Sequence, residues 1–546
     1  MFVVHTKMLT SAIVLYFFAA VTAALSCQNA GCSPVLDLGY AKYRGIYSES
    51  LHVNTFYGIR YAQPPTGELR WKPPKPIDER NNTGVEIVEA TRPAPSCVQG
   101  YPSWILPQAL VPLPPAGSED CLTLDIIQPA NLAKRAKLPI LIQIHGGGYT
   151  IGNSSFVQGY ALVNHTGNAF IFVSIQYRLG AYGFLYSQEI AAEGGANAGL
   201  LDQRLAINWV QRHASSFGGD PSKITIYGGS AGGGSVTNQM IMYGGVENPP
   251  FRAAIAEYPW WQPYLRKEQL LRQYRYLLRE TSCENFQCLR ALDAAELATA
   301  SQLTYFEAYA DKAYSHGSFY FGPYVDGNVI KDLPSREFRA GHFTKVPILV
   351  DREGYEGYIF SNQSVATLSQ EIEDLRTVYP NADEDFIKQL YQLYPSKDFN
   401  STFFHRQTIF GDAFINCPSY YIARSVSSAG QRAYKMVFNA GSQLHAATGP
   451  FLFSLDYAVT PGANVTTANI MKDWFLSFAI YLDPGRHSWS GVRKPDWDMY
   501  QSYGSHNARV MSVNYTEVGM VDDRYFDQTK RCDFLWENGA TVQNKR

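Results

Sequence analysis

The stretch Ile224-Thr225-Ile226-Tyr227-Gly228-Gly229-Ser230-Ala231-Gly232-Gly233-Gly234 decides the reading of this chain. β-Branched residues alternate up to two glycines, a serine follows, and three more glycines lead into Ser235-Val236-Thr237-Asn238-Gln239-Met240, text that can form a helix. The pattern predicts strand, sharp turn and helix, with Ser230 at the turn. A Gly-x-Ser-x-Gly turn pushes a strained serine outward, and only residues without a large side chain let strand and helix approach closely enough to form it. A glycine-rich turn with a bystander serine is the plainer reading, and the rest of the chain must decide between them.

Outward from this stretch, buried-strand text recurs. Leu138-Pro139-Ile140-Leu141-Ile142-Gln143-Ile144 is nearly continuously apolar, as in a sheet covered on both faces, and it ends in His145-Gly146-Gly147-Gly148-Tyr149. Ala169 to Ile175 repeats the signature. Asn197 to Val210 places Leu201, Leu205 and Asn208-Trp209 at helical spacing. Further strands are expected at Ala253-Ala254-Ile255-Ala256, Val346-Pro347-Ile348-Leu349-Val350 and Tyr434 to Asn439, with a mainly helical insertion from about Arg266 to Arg339. Strands alternating with helices imply an α/β protein with a mostly parallel central sheet and helical insertions. Val35 to Pro76 reads as short strands and loops at a sheet edge, and the text after Trp474 to Ile480 loses regular pattern.

In such a sheet, chemistry sits beyond the carboxyl ends of the strands. Ser230 follows one strand, the triple glycine another, Asp351-Arg352-Glu353-Gly354-Tyr355-Glu356-Gly357 a third, and Ala440-Gly441-Ser442-Gln443-Leu444-His445 a fourth. A serine hydroxyl needs an imidazole to take its proton, and the imidazole needs a carboxylate to fix its tautomer. The order Ser, acid, His is that of an α/β-hydrolase. His445 is the histidine a short loop beyond a buried strand downstream of the acid, whereas His405, His487 and His506 lie in helical or irregular text. Three carboxylates compete for the acid: Asp351, Glu353 and Glu356. The glycines flanking Tyr355-Glu356 favour Glu356. Backbone N–H groups of Gly147, Gly148 and Ala231 are candidates for an oxyanion hole. No metal or cofactor is expected: there is no His-Glu-x-x-His, no paired Cys-x-x-Cys, and the glycines at 146 to 148 lack dinucleotide-binding spacing.

Composition and the ends of the chain set the context. Of 546 residues, 46% are hydrophobic and 17% charged, with net charge -2, which argues against a nucleic-acid partner. Lys7 precedes an apolar run from Met8 to Ala24 that closes on small residues, the layout of a secretory signal over residues 1–25. Read instead as a membrane anchor, that run is at the short end for a span, and no later stretch qualifies. Residues 26–546 read as a single catalytic domain. Eight cysteines and sequons at Asn81, Asn153, Asn164, Asn362, Asn400, Asn464 and Asn514 fit a secreted or secretory-lumen glycoprotein. Between Cys97 and Cys121 lies a proline-rich apolar segment with Trp104, Leu110 and Leu113, which reads either as a lid or gorge wall or as a surface loop packed on the core.

Together, Ser118-Glu119-Asp120-Cys121-Leu122, His145-Gly146-Gly147-Gly148-Tyr149, Asn197 to Gln203, Phe217-Gly218-Gly219-Asp220-Pro221 and Gly229-Ser230-Ala231-Gly232-Gly233 resemble the type-B carboxylesterase/lipase family, the cholinesterase-like α/β-hydrolases. The likeness runs in order from about Val35 to about Phe534. Arg531-Cys532-Asp533-Phe534 and Tyr258-Pro259-Trp260-Trp261-Gln262-Pro263 are most similar to secreted fungal members. The resemblance implies the α/β-hydrolase fold, Glu356 as the acid, and disulfides Cys97 to Cys121, Cys283 to Cys288 and Cys417 to Cys532, with Cys27 and Cys32 left to pair locally. It also implies a buried structural ion pair between Arg70 and Glu119. The chain departs from the family at Gly229, where glutamate is usual, at Tyr355, where aspartate is common, and in the turn Asp351 to Gly354. Asn153, close to the triple glycine, is an awkward glycan site.

These readings converge on a serine esterase with a small-molecule ester substrate. Tyr149, Trp260 and Trp261 are the expected pocket residues, favouring apolar or aromatic acyl groups, with secondary metabolism as one setting. A lid-gated lipase and a non-catalytic binding or adhesion protein of the same fold are the competing classes. Oligomeric state is not legible.

Overall fold

A computed structural model describes residues 33–79, 87–133, 135–459, 464–501 and 508–544. The expected leader, Cys27, Cys32 and Asn81 lie outside the described residues.

Among these residues, eleven strands form one sheet: β1 (Ile46–Ser48), β2 (Val53–Arg60), β3 (Thr123–Pro129), β4 (Leu138–Ile144), β5 (Ile171–Ile175), β6 (Gly219–Gly229), β7 (Ala253–Glu257), β8 (Ile348–Glu353), β9 (Ala433–Asn439), β10 (Arg509–Asn514) and β11 (Val518–Asp522). Their spatial order is β11-β10-β9-β8-β7-β6-β4-β5-β3-β2-β1. From β10 to β5 every neighbour is parallel, and antiparallel strands close both ends. A small second sheet pairs Val35–Asp37, Lys42–Arg44 and Ile87–Glu89. This is the expected mostly parallel α/β arrangement, and the edge strands from the turn-rich beginning of the chain fall where the sequence puts them. The text beyond Ile480 is more ordered than its pattern suggests: it supplies β10, β11 and the helix Lys530–Glu537. Both strands are short; β10 is buried along most of its length between β9 and β11, and β11 at the sheet edge is half-buried throughout, so neither alternates in burial.

The continuous apolar runs follow from double coverage. In β4, Ile140, Ile142 and Ile144 face one hydrophobic core while Leu141 faces the other, and in β6 Ile224 and Ile226 oppose Tyr227. The helices Ala198–His213 and Ala231–Ile241 fill the first core with Trp209, Val210, Val236 and Met240, while Val465–Tyr481 fills the second with Trp474 and Phe478. At about 25 cal/mol per Å² of apolar area, such two-sided burial is the dominant favourable term in the fold. Disulfides join Cys97 to Cys121, Cys283 to Cys288 and Cys417 to Cys532. Arg70 Nε donates to Glu119 Oε1 at 2.6 Å with both side chains buried.

The strand order places the site. β4 runs outward to β5, and the chain then returns to lay β6 on the other side of β4, so the order reverses between β4 and β6. Loops leaving the carboxyl ends of these two strands diverge there and open a crevice. The two loops are the triple glycine after Ile144 and the turn at Ser230.

Candidate active site

Ser230 takes φ 60° and ψ −126° between β6 and the helix Ala231–Ile241. For a residue with a side chain this backbone is costly, on the order of 1–3 kcal/mol, and persists only where the surroundings dictate it. They do so here by close packing. A Cβ at Gly232 would lie 2.1 Å from the carbonyl oxygen of Ile144, so the helix abuts the end of β4 without space for a side chain. The Ser230 N–H donates to Glu257 O at 3.2 Å and the Ser230 carbonyl accepts from Trp260 N at 3.0 Å, which ties the turn to the end of β7. Helix N-termini leave N–H groups without an intrahelical acceptor, and Ala231 stands at that position.

The triple glycine comes to the same place. A Cβ built on Gly146 would be 2.8 Å from Gly229 O and 3.1 Å from Ser230 Cβ. Gly147 and Gly148 turn at φ 104° and 62°, and Gly147 O accepts from Thr150 N and Ile151 N at 3.0 Å each. The N–H groups named as oxyanion donors therefore belong to two segments that meet beside Ser230.

On the far side, the acid and histidine loops are clamped together. Tyr355 N donates to Gln443 O at 2.8 Å, and Tyr355 and Leu444 form a parallel bridge. Glu356 Oε1 accepts from Glu353 N at 2.6 Å, and Glu356 Oε2 accepts from His445 Nδ1 at 2.5 Å. Of the three carboxylates left open by the residue text, Glu356 is the one that reaches the imidazole. Burial pushes its carboxyl up, but the His445 imidazole and hydrogen bonds from His445 and Glu353 outweigh burial and leave it below the ordinary value. A carboxylate on Nδ1 fixes that nitrogen as the donor and leaves Nε2 as an acceptor. His445 Nε2 is buried and has no hydrogen-bond partner, and Ser230 Oγ is not yet bonded to it. Apo sites often leave this contact open.

Asp351 and Glu353 have another role. With Glu257 they form a group of carboxyls behind Glu356, all fully buried. Burial pushes Asp351 and Glu353 well up and Glu257 to about 7. Thr448 donates to Glu353 Oε1 from its N–H and its hydroxyl, at 3.3 Å each, and the Tyr227 hydroxyl donates to Glu257 Oε2.

The expected pocket residues separate. Trp260 lies 4.8 Å from Phe360 and 5.7 Å from Phe319 between ring centroids, and Phe360 itself stands edge-on to His445 at 4.9 Å. Trp260 thus belongs to the wall around the base. Trp261 points elsewhere, stacked on Phe338 with its Nε1 donating to Thr237 Oγ1 at 3.0 Å. Tyr149 is buried against Phe184, and its hydroxyl accepts from Asn238 Nδ2 at 3.4 Å. Phe319, Phe360 and Tyr258 are site residues that the sequence reading did not name. Phe319 comes from the insertion, where nothing local signals its destination, but Glu257 and Tyr258 terminate a buried strand, so examining its carboxyl end finds them.

The loop between Cys97 and Cys121 combines both of its readings. Trp104 packs inward on Phe319 and Phe360, with Nε1 donating to Ser318 O at 2.6 Å, while Leu110 and Leu113 are 68% and 48% exposed. A cleft of about 700 Å³ lined by Phe338, Arg424, Asp533 and Trp536 contains none of Ser230, Glu356 and His445. Among the described residues no trio of His, Cys, Asp or Glu is placed to hold a metal ion, and no helix is long and apolar enough to cross a membrane. Of the sequons, Asn164 and Asn400 are exposed; Asn153, Asn362, Asn464 and Asn514 are half-buried, with side-chain oxygens accepting backbone N–H groups.

The family model described as "Carboxylesterase family" matches residues 33–535. The chain belongs to the carboxylesterase family. Membership places it among carboxylic ester hydrolases of the α/β-hydrolase fold. It is 28% identical to carboxylesterase patB of Penicillium expansum, over 83% of this chain and 88% of that protein. It is 30% identical to secreted lipase 1 of Botryotinia fuckeliana, over 87% of this chain and 88% of that protein. The crystal structure of Aspergillus niger EstA superposes with a TM-score of 0.80 at 26% identity, covering 94% of this chain and 99% of that one.

Proposed function

We propose that this carboxylesterase works through a serine acyl-enzyme. Ser230 Oγ attacks the ester carbonyl while His445 Nε2 takes its proton. Glu356 holds the imidazole through Nδ1 and stabilises its transient charge. The N–H groups of Gly147, Gly148 and Ala231 receive the oxyanion. The imidazolium returns its proton to the departing alcohol, and water, activated by the same His445, releases the acid. One observation carries this reading: His445 is held at 2.5 Å by Glu356 while Nε2 remains buried and unpartnered. Trp260, Phe319 and Phe360 beside the base favour an apolar or aromatic acyl group. Residues 1–25 act as a signal and deliver the enzyme to the extracellular space, with Asn164 and Asn400 as the most accessible glycan sites among the described residues. Hydrolysis of a secondary-metabolite ester is a setting that the likeness to patB supports.

The test is covalent labelling with an aryl fluorophosphonate followed by peptide mass spectrometry. A single adduct on Ser230, and loss of aryl-ester turnover in Ser230→Ala, are expected; active protein that carries no adduct overturns the mechanism, and folded protein with neither adduct nor turnover is read as a binding protein. An acyl-chain series of kcat/KM then defines the pocket. A second reading, a lipase, is favoured by the exposed Leu110 and Leu113 on a disulfide-closed loop whose Trp104 reaches the aromatic wall. It calls for a rise in rate when a triglyceride passes its solubility limit, and a rate that only saturates excludes it.

A further inference from the structure

Gly229 stands directly before Ser230, and the structure shows what fills the space a side chain there would take. A Cβ at Gly229 would lie 2.4 Å from the Tyr258 hydroxyl oxygen and 2.6 Å from its Cζ. The ring of Tyr258 also stands edge-on to His445, with centroids 4.8 Å apart and planes at 70°. One side chain thus touches the residue before the nucleophile and the base. With Phe360 approaching the same imidazole at 4.9 Å and 75°, His445 is held between two aromatic rings as well as by Glu356.

Tyr258 is itself fixed. Its N–H donates to Asp351 O at 2.9 Å and to Asp351 Oδ1 at 3.0 Å. Glu257 before it accepts from Ser230 N, and Trp260 after it donates to Ser230 O, so the segment 257–260 is strapped to the nucleophile turn on both sides. The backbone of Tyr258 is at φ 33°, a conformation that a bulky residue adopts only under constraint. Burial, reinforced by the Glu257 and Glu353 carboxyls, keeps the phenol neutral far above neutral pH.

We propose that Tyr258 is a positioning residue of this esterase: its ring holds the His445 imidazole against Glu356, and its hydroxyl end occupies the place beside Ser230 that Gly229 leaves open. The inference rests on the triad reading above. It makes residues 229 and 258 a single unit, in which a side chain at one position excludes the ring at the other.

The test compares full-length wild type with Tyr258→Phe, Tyr258→Leu, Gly229→Ala and the Gly229→Ala/Tyr258→Leu double variant, on a soluble aryl ester. Displacing a base by about 1 Å costs on the order of a hundredfold in rate. Tyr258→Phe keeps the ring and is expected to hold kcat within about threefold of wild type, whereas Tyr258→Leu and Gly229→Ala each lower kcat by about thirtyfold or more with KM within about twofold. The double variant is expected to be no worse than Tyr258→Leu, because both changes remove the same contact, rather than showing the product of the two losses. Wild-type kcat in Tyr258→Leu, or losses that multiply, overturns the proposal. If Tyr258→Leu fails to fold by thermal unfolding, Tyr258→Met replaces it in the single and the double variant: an unbranched side chain also removes the ring, so kcat must fall by about thirtyfold or more, and wild-type kcat in the folded variant overturns the proposal. The triad reading is judged separately, by the Ser230 adduct in wild type and the inactivity of Ser230→Ala.

Discussion

Two groups of buried acids occupy opposite faces of β8, and they behave differently. Arg352 faces one side, where its guanidinium grips Asp527 at 2.7 and 3.1 Å, and Lys435 of β9 donates to Asp523 at 2.9 Å and Asp527 at 2.6 Å. Strand alternation turns Asp351 and Glu353 to the other face, toward Glu257, Glu356 and His445. The first group has two cations for two acids. Burial alone pushes the Asp527 carboxyl up, yet Arg352 and Lys435 bring it below its ordinary value, so it stays ionised. The second group has four acids and one imidazole, so burial and the neighbouring carboxyls push Asp351 and Glu353 well up, while His445 holds Glu356 below its ordinary value. Asp527 with its two cations makes a fixed strut, although burial still raises its neighbour Asp523, whereas the carboxyls without cations make an environment whose ionisation follows pH.

The largest effect is expected from discharging Glu356, the carboxylate bonded to His445. Glu356→Gln keeps the shape but offers His445 the wrong partner, so kcat should fall by about 10³- to 10⁴-fold with little change in the unfolding midpoint. Steady-state kinetics and thermal unfolding on the same sample check this; a loss below about tenfold shows that the acid lies elsewhere.

Breaking the strut comes next. Lys435→Met leaves Asp523 without its cation in a fully buried site and should lower stability by about 3–5 kcal/mol in urea unfolding. A change below about 1 kcal/mol would mean that Tyr500, whose hydroxyl donates to Asp523 at 2.8 Å, suffices.

A smaller effect separates the groups by pH. Glu257 has an ordinary value of 4.5 and is raised to about 7 in the fold. The folded state therefore holds this proton more tightly than the unfolded chain, and stability falls as pH rises from about 4.5 through about 7. Asp351 and Glu353 extend the same trend upward, while Glu356, held below its ordinary value, weakens the fold only at acid pH. The melting temperature should decline between about pH 5 and about pH 8, and Glu257→Gln should flatten that decline by on the order of 1–3 kcal/mol at pH 8. Parallel pH profiles of wild type and variant mean that Glu257 does not titrate in this range.

The smallest change is expected at the surface pair between Arg524 and Asp522, at 2.7 Å. Water and salt already screen it, so Arg524→Ala should leave the unfolding midpoint unchanged. A measurable drop would show that the paired group extends to the surface end of β11.

Much of the site was legible because its parts are local. The elbow needs small residues around Ser230, the histidine and acid each follow a buried strand, and these requirements are written in consecutive residues. Choosing Glu356 over Asp351 and Glu353 is different. The flanking glycines and the family likeness favour Glu356, but the structure carries β8 on to Glu353, so that Asp351 and Glu353 lie inside the strand while Glu356, on the turn that the Tyr355 to Leu444 bridge ties down, reaches His445. Likewise Trp260 and Trp261 are neighbours with the same composition signal, yet one joins the wall around the base and the other packs on Phe338. Adjacent side chains diverge, and sequence proximity carries no information about which one turns inward.

Residue type, order and periodicity along the chain were enough to determine the α/β architecture and to put candidate nucleophile and base at strand ends, and the family likeness carried by the motifs supplied the three disulfide pairs. Only the tertiary structure decided what stands around that machinery. The ring of Tyr258 over Gly229, the Phe319 and Phe360 wall, and the division of β8 into a paired and an unpaired face all arise from residues far apart in sequence. Their contacts depend on how separate strands and insertions converge in space, which no local pattern encodes.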